Sequence, residues 1–257
     1  AVEGSKRLEL FDKKKLVHLE GCQKKRVPPS DVAIIGMACL FPKAPGLQRY
    51  WENIVNKVDA ITEVPKDRWD WKLYYDSNSD SRDKVCSKWG GFLDSVRFDP
   101  LKYGTPPKTL SSIEPLQLLI LETVHAAITD AGYADRSFPR NETSVILGIG
   151  GGLGDLGQQY VVRSRLPMIA GKVAPEIFSQ LPEWTEDSFP GILFNVNAGR
   201  VANRFNLGGV NYTVDAACAS SLAALYLAVN ELENETSEMV IVGGGDTLQN
   251  PFAYLCF

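Results

Sequence analysis

Histidine is almost missing from this chain, with only His18 and His125 among 257 residues. Chemistry that needs an imidazole base therefore has little to draw on, and no histidine follows residue 125. Cysteine is sparse too: Cys22, Cys39, Cys86, Cys218 and Cys256. Their odd count and irregular spacing argue against a disulfide framework and against a Cys-x-x-Cys zinc site. No run of eighteen apolar residues is present, so the sequence offers no membrane span. No signal peptide is visible, although the first residue is Ala rather than Met. The expectation is a cytoplasmic protein, in which the sequons at Asn141, Asn211 and Asn234 carry no weight.

What is there reads as an ordinary folded chain. It is 44% hydrophobic and 23% charged, and long enough to bury a sizeable core. Charge divides unevenly. Residues 1–30 hold eight Lys/Arg against four Asp/Glu, a net of about +4, which leaves about −8 on the rest of a chain whose total is −4. Leu8, Leu10, Phe11, Leu16 and Leu19 recur among the lysines at loosely helical spacing. Residues 1–30 are read as a basic leader or linker helix that docks an upstream domain at most. No aromatic-interleaved basic patch accompanies it, so nucleic acid is not an expected partner.

From residue 31 onward, short apolar runs alternate with helical patterns. Strands are expected at Val32–Gly36, Ser144–Gly148, Asn211–Asp215 and Met239–Val242. The clearest helix runs from Ser111 to Ala131, with Ile113, Leu116, Ile120, Val124 and Ile128 on one face. Ser112 is its expected cap, Pro115 fits its first turn, and Gly132 ends it. His125 falls on this helix as a packed or solvated face residue. Such alternation implies a mixed or parallel sheet covered on both faces, an α/β class. Residues 66–110 lack a period and read as surface loops. Gly152-Leu-Gly-Asp-Leu-Gly157 matches G-x-G-x-x-G after an apolar strand. Pro167, Gly171 and Pro175 predict a poor crossover helix beyond it, and a backbone role is preferred over a dinucleotide site. Gly243–Gly245 is expected to let backbone pass close to a turn.

That turn is the most informative segment: Val210-Asn-Tyr-Thr-Val-Asp-Ala-Ala-Cys218-Ala-Ser-Ser-Leu. It reads as a β-branched strand, a tight turn of small residues and an apolar helix, with Cys218 at the junction. A helix start presents free N–H groups and partial positive charge, which favour a thiolate and can receive an oxyanion. Ala216-x-Cys218-x-Ser220 has the small-residue form of a nucleophile elbow. A buried free cysteine packed as a small hydrophobe would fit the spacing equally well.

The wording separates these. Asp215-Ala-Ala-Cys218-Ala-Ser-Ser221-Leu resembles the active-site signature of the β-ketoacyl synthases, the ketosynthases of the thiolase superfamily. Asp31-Val-Ala-Ile-Ile-Gly-Met-Ala-Cys-Leu-Phe-Pro42, Tyr50-Trp-Glu-Asn-Ile54 with Val64-Pro-Lys-Asp-Arg-Trp69, Ile113-Glu-Pro-Leu-Gln117 through Asp130-Ala-Gly-Tyr133, and Met239-Val-Ile-Val-Gly-Gly-Gly-Asp246 agree in the same order. Glu114-Pro-Leu-Gln117 in place of the common Asp-Pro-Gln, and Gly209-Val-Asn-Tyr212, look like the ketosynthases of polyunsaturated fatty acid synthases and related iterative lipid synthases. The resemblance implies a thiolase-like layered α/β/α fold, with residues 31–257 as the N-terminal half of a pseudo-twofold domain.

It also implies 3-oxoacyl-[acyl-carrier-protein] synthase chemistry: Cys218 takes an acyl group, and decarboxylative Claisen condensation with malonyl-carrier follows. Substrates would ride on the phosphopantetheine of an acyl carrier protein, with no bound cofactor and no metal. Asp215 is expected to hold the turn, and Arg200 to serve as an interface or core ion partner. The strand Asn211–Asp215 resembles the one that pairs across the two-fold of ketosynthase homodimers. The decarboxylating histidines of the family lie in motifs this sequence does not contain. The chain is therefore expected to be a first half, incompetent for full condensation alone, whose partners include the remaining half and neighbouring synthase domains. A thiolase acting on coenzyme A esters and a non-catalytic scaffold are the alternatives. A cysteine α/β-hydrolase is excluded for want of a later histidine.

Overall fold

A three-stranded parallel sheet stands at the centre of the structure, a computed structural model that describes residues 31–78 and 81–257. The basic leader expected at 1–30, with His18 and Cys22, lies outside the described residues. Val32–Phe257 forms one compact unit.

The elements in chain order are α1 (Leu47–Val55), β1 (Ile61–Glu63), β2 (Trp89–Gly91), α2 (Pro115–Asp130), β3 (Thr143–Gly148), α3 (Asp155–Ala170), α4 (Pro175–Phe178), α5 (Ser188–Ile192), α6 (Val196–Phe205), β4 (Asn211–Val214), α7 (Ser220–Glu233), β5 (Met239–Gly244) and α8 (Pro251–Cys256). The sheet order is β4-β3-β5. In register, Gly148 at the end of β3 lies beside Val214 on one side and Gly244 on the other. Strand β3 is buried along its whole length, as expected for the middle of a parallel sheet.

Its side chains alternate between two layers. Val145, Leu147 and Ile149 pack with Leu116, Ile120, Leu121 and Val124 of α2 and with Ala198, Val201 and Ala202 of α6. Ile146 faces the other way, onto Ala224 and Ala228 of α7, with Tyr212, Val214, Val240 and Val242 around them. Helices thus cover both faces, as the alternation implied, and the layered α/β/α fold implied by the resemblance holds.

Three expected strands form at their places. The fourth, Val32–Gly36, does not. The segment has no regular secondary structure, with Val32, Ile34, Ile35 and Met37 exposed. Its docking comes from elsewhere: a Cβ on Gly36 would overlap the end of α2, and the Met37 N–H donates to Asp130 Oδ2 at 2.8 Å. Among the described residues it finds no strand partner, and an apolar run without a ladder partner is not a strand.

The helix expected from Ser111 begins at Pro115. A 3₁₀ turn over Pro107–Ser112 precedes it, and Ile113 and Glu114 are extended, as the residue before a proline prefers. The Ser112 hydroxyl bonds Thr185 Oγ1 rather than capping. Pro115 in the first turn and Gly132 beyond the end, at φ +75°, stand as expected.

The segment read as too broken for a helix is one: α3 runs unbroken to Ala170 with Pro167 inside its last turn. The proline removes one backbone hydrogen bond and crowds the Arg163 carbonyl, yet the helix continues past it until Gly171 closes it at φ +69°. Residues 66–110 are mostly turns, as expected, but contain β2, which pairs antiparallel with β1.

The α2–β3–α6 layer carries the packing. Leu121 is fully buried and Leu222 is 72% exposed. Urea unfolding is expected to show Leu121→Ala destabilised by about 3 kcal/mol and Leu222→Ala by less than about 0.5 kcal/mol.

Candidate active site

The carboxyl end of the sheet is where β3, β4 and β5 hand over to loops, and Cys218 lies there. Beyond Val214 the chain passes through Asp215 and Ala216, turns at Ala217 with φ +49°, and makes one 3₁₀ turn over Ala217–Ala219 before α7 begins at Ser220. A left-handed conformation at a residue with a Cβ costs about 1–2 kcal/mol. Such strain persists only where neighbours over-determine it.

The neighbours are on either side. Asp215 Oδ1 accepts from the Ala217 N–H at 2.9 Å. The Ser220 hydroxyl accepts from the Ala216 N–H at 2.9 Å and donates to the Ala217 carbonyl at 2.7 Å. Asp215 therefore holds the turn, the part expected of it. Its carboxylate lies where a Cβ on Gly150 would sit.

The turn also has a floor. A Cβ on Gly148 would run into the Ser220 carbonyl, and one on Gly244 into the Ser221 hydroxyl. The first turn of α7 is thus pressed onto the glycine ends of β3 and β5. Of the Gly243–Gly245 run, expected to let backbone pass close to the turn, Gly244 alone meets it, through the Ser221 side chain, while Gly245 faces Leu116 and Gly243 open space; at this turn Gly148 is the position where backbone passes closest. Cys218 emerges exposed above that floor, in the 3₁₀ turn two residues before the helix start. Cys86 and Cys256 are also exposed, while burial pushes the Cys39 thiol up. What sets Cys218 apart is therefore its place on a strained strand-to-helix turn.

A second polar cluster braces the same end of the fold. Glu114 is buried, and its carboxylate accepts the Leu156 N–H at the start of α3 at 3.1 Å. Gly154 leaves it room. The G-x-G-x-x-G stretch thus presents its helix start to the chain's own carboxylate, where a dinucleotide site would receive phosphate. Burial, and next the charge of Asp155, push the Glu114 carboxyl up. Burial likewise raises Asp155, which accepts a hydrogen bond from Asn250 Nδ2.

Gln117, also fully buried, donates to the carbonyls of Pro190, Gly191 and Leu193 at 3.1, 2.9 and 3.2 Å, and its Oε1 accepts from Arg200 Nε at 2.8 Å. Arg200, expected as an interface or core ion partner, makes its hydrogen bond to this neutral amide, and the charge of Asp187 also acts on it. Sequence reasoning used Glu114 and Gln117 only as wording. The available signal was two polar residues flanking Leu116 on an otherwise apolar helix face.

His125 stands apart from the turn, stacked on Phe205 with ring centroids 6.5 Å apart. Burial, then the Lys102 charge, push it down. Among the described residues no cluster of three or more His, Cys, Asp or Glu side chains could hold a metal, and no helix is long and apolar enough to cross a membrane.

A family model described as the β-ketoacyl synthase N-terminal domain matches residues 29–257. The chain belongs to that family. It is 34% identical over 230 residues to polyketide synthase PksN of Bacillus subtilis, covering 89% of this chain and 4% of that protein. It is 35% identical over 238 residues to one of the component chains of the polyunsaturated fatty acid synthase of a Thraustochytrium species, covering 88% and 8%.

Among solved structures, the oxazolomycin ketosynthase domain of Streptomyces albus matches with a TM-score of 0.70 at 28% identity, covering 87% of this chain and 35% of that one. The ketosynthase from module 6 of the Bacillus subtilis bacillaene synthase matches with a TM-score of 0.68 at 30% identity, covering 87% and 34%. The fold is therefore thiolase-like. The chain spans about a third of these solved ketosynthase chains and less than a tenth of the two curated relatives.

The Glu114 cap has a pH signature. Its carboxyl holds a proton more tightly in the folded chain than in the unfolded one. Its contribution to stability is therefore fully present at low pH and is lost as pH rises through the ordinary carboxylate range to the raised folded value. In urea melts at stepped pH, wild-type stability minus that of Glu114→Gln is expected to fall across that window. A difference flat in pH would contradict the buried placement.

Proposed function

We propose that this chain supplies the acyl-accepting half of a 3-oxoacyl-[acyl-carrier-protein] synthase, with Cys218 as the nucleophile. The observation that carries the reading is the elbow: an exposed thiol one residue after a left-handed Ala217, two residues ahead of α7. Family membership over residues 29–257 supports it.

The Cys218 thiolate attacks the carbonyl of an acyl thioester carried on phosphopantetheine. The Cys218 N–H receives the oxyanion. The carrier thiol leaves, and the acyl group stays on sulfur. A malonyl-carrier then loses carbon dioxide, and its enolate carbon attacks the acyl-enzyme. Cys218 is expelled as thiolate, and a 3-oxoacyl chain is left on the carrier.

Decarboxylation and enolate stabilisation fall to histidines that this sequence does not contain, since His125 is stacked on Phe205 away from the turn. The chain therefore loads but does not condense alone. The remaining half of the domain and the neighbouring synthase domains are its further partners. The exposed apolar side chains of Ile34, Met37, Leu222 and Tyr226 support such packing. The complete domain is a homodimer. Strand β4 lies at one edge of the sheet, open to pairing with a second copy across a two-fold. The acyl carrier protein is the substrate-bearing partner, and the reading keeps the enzyme in the cytoplasm.

Incubation with an acyl thioester is expected to add one acyl mass, mapped by peptide sequencing to Cys218 and absent from Cys218→Ala. Adding malonyl-carrier is expected to release no ketide. Equal acylation of Cys86, Cys218 and Cys256 would defeat the nucleophile assignment, and ketide formed by this chain alone would defeat the half-site reading.

A further inference from the structure

The hydroxyl of Ser220 does something a helix-start serine ordinarily does not. A capping serine accepts from N–H groups ahead of it, in the first turn of its own helix. Ser220 is the first residue of α7, and its hydroxyl turns backward, off the helix, taking the Ala216 N–H at 2.9 Å and giving its proton to the Ala217 carbonyl at 2.7 Å. Those two groups bracket the backbone of Ala216 and Ala217, the pair whose dihedral angles make the elbow.

The side chain has little freedom to do otherwise. Ser220 is 6% exposed, and its backbone carbonyl is pressed against Gly148. Asp215 grips the same turn from the strand side through the Ala217 N–H. Ala217 thus has both its N–H and its C=O held while it occupies a left-handed conformation, and the next residue is Cys218.

We propose that Ser220 is a positioning residue for Cys218: its hydroxyl locks the strained turn that lifts the sulfur clear of the sheet. The proposal rests on Cys218 being the nucleophile, and its test separates the two. Ser220 touches no reacting atom. It acts through the backbone of the turn, so losing the hydroxyl lets Ala217 relax and the thiol wander from the helix start. A misplacement of an ångström is enough to slow a reaction heavily.

The test is the rate of iodoacetamide alkylation of the full chain, read by peptide mapping at Cys218 against Cys86 and Cys256 in the same sample, across pH. Thermal melts are run alongside. Wild type is expected to alkylate fastest at Cys218. Ser220→Ala is expected to lower the Cys218 rate roughly tenfold, with Cys86 and Cys256 unchanged. Ser220→Thr, which keeps the hydroxyl, is expected to recover most of it. Ser164→Ala, on an exposed position of α3 and outside these hydrogen bonds, is expected to leave it alone.

A Ser220→Ala chain that keeps wild-type Cys218 selectivity overturns the role of Ser220 and leaves the nucleophile standing. A wild type without any Cys218 preference removes the nucleophile, and Ser220 with it. Should Ser220→Ala lose its cooperative melt, Ser220→Thr decides: folded with selectivity retained supports the role, and folded with selectivity lost overturns it.

Discussion

The seat of helix α7 on two glycines is the constraint from which the rest follows. Gly148 and Gly244 end adjacent parallel strands, and neither position has room for a Cβ beneath Ser220 and Ser221. Only a bare backbone lets a helix start come so close to the strand ends. Because the helix comes so close, the link from β4 has to turn sharply. Because it turns sharply, Ala217 carries a positive φ, and the hydrogen bonds from Asp215 and Ser220 are needed to keep it there. The strain of about 1–2 kcal/mol at one alanine is comparable to the net worth of two hydrogen bonds. The turn is held by local bonding on a rigid floor.

A different kind of support comes from the buried polar side chains of α2. Glu114 closes the start of α3, and Gln117 ties the loop before α6 to Arg200. A buried polar group without partners is costly, and Gln117 meets that demand by making four hydrogen bonds at once. These residues connect the elements that surround the carboxyl end of the sheet, so the loop after β3 and the elbow after β4 rest on one braced frame. Glu114 also answers the question raised by the glycine-rich stretch, because the chain's own carboxylate occupies the helix start that a phosphate would need.

Much of this was legible in the sequence, for physical reasons. The three core strands stand out because a strand covered on both faces must be apolar throughout, and β3 is buried along its length. Helix α2 shows its face because Leu116, Ile120 and Val124 meet the core at helical spacing. Cys218 is visible because small residues crowd a strand-to-helix junction. Val32–Gly36 misled because an apolar run reports burial potential, while a strand also needs a neighbour to bond. The α3 segment misled because one proline removes one hydrogen bond and crowds one carbonyl, while the other turns of Asp155–Ala170 still form a helix around it. The amide partner of Arg200 was not legible, because Gln117 lies 83 residues away in the chain. Ser220 was read only as a small residue, since the direction of a hydroxyl is decided by backbone geometry that no spacing reveals.

The central claim is that a strained elbow, and no ordinary buried packing, presents the Cys218 sulfur. A crystal structure of the chain acylated by a thioester donor tests it most directly. The account predicts density continuous from the Cys218 sulfur into the acyl group, Ala217 still at positive φ, and the acyl oxygen within hydrogen-bond distance of the Cys218 N–H. An unmodified thiol folded under α7 with Ala217 in an ordinary right-handed conformation would contradict it.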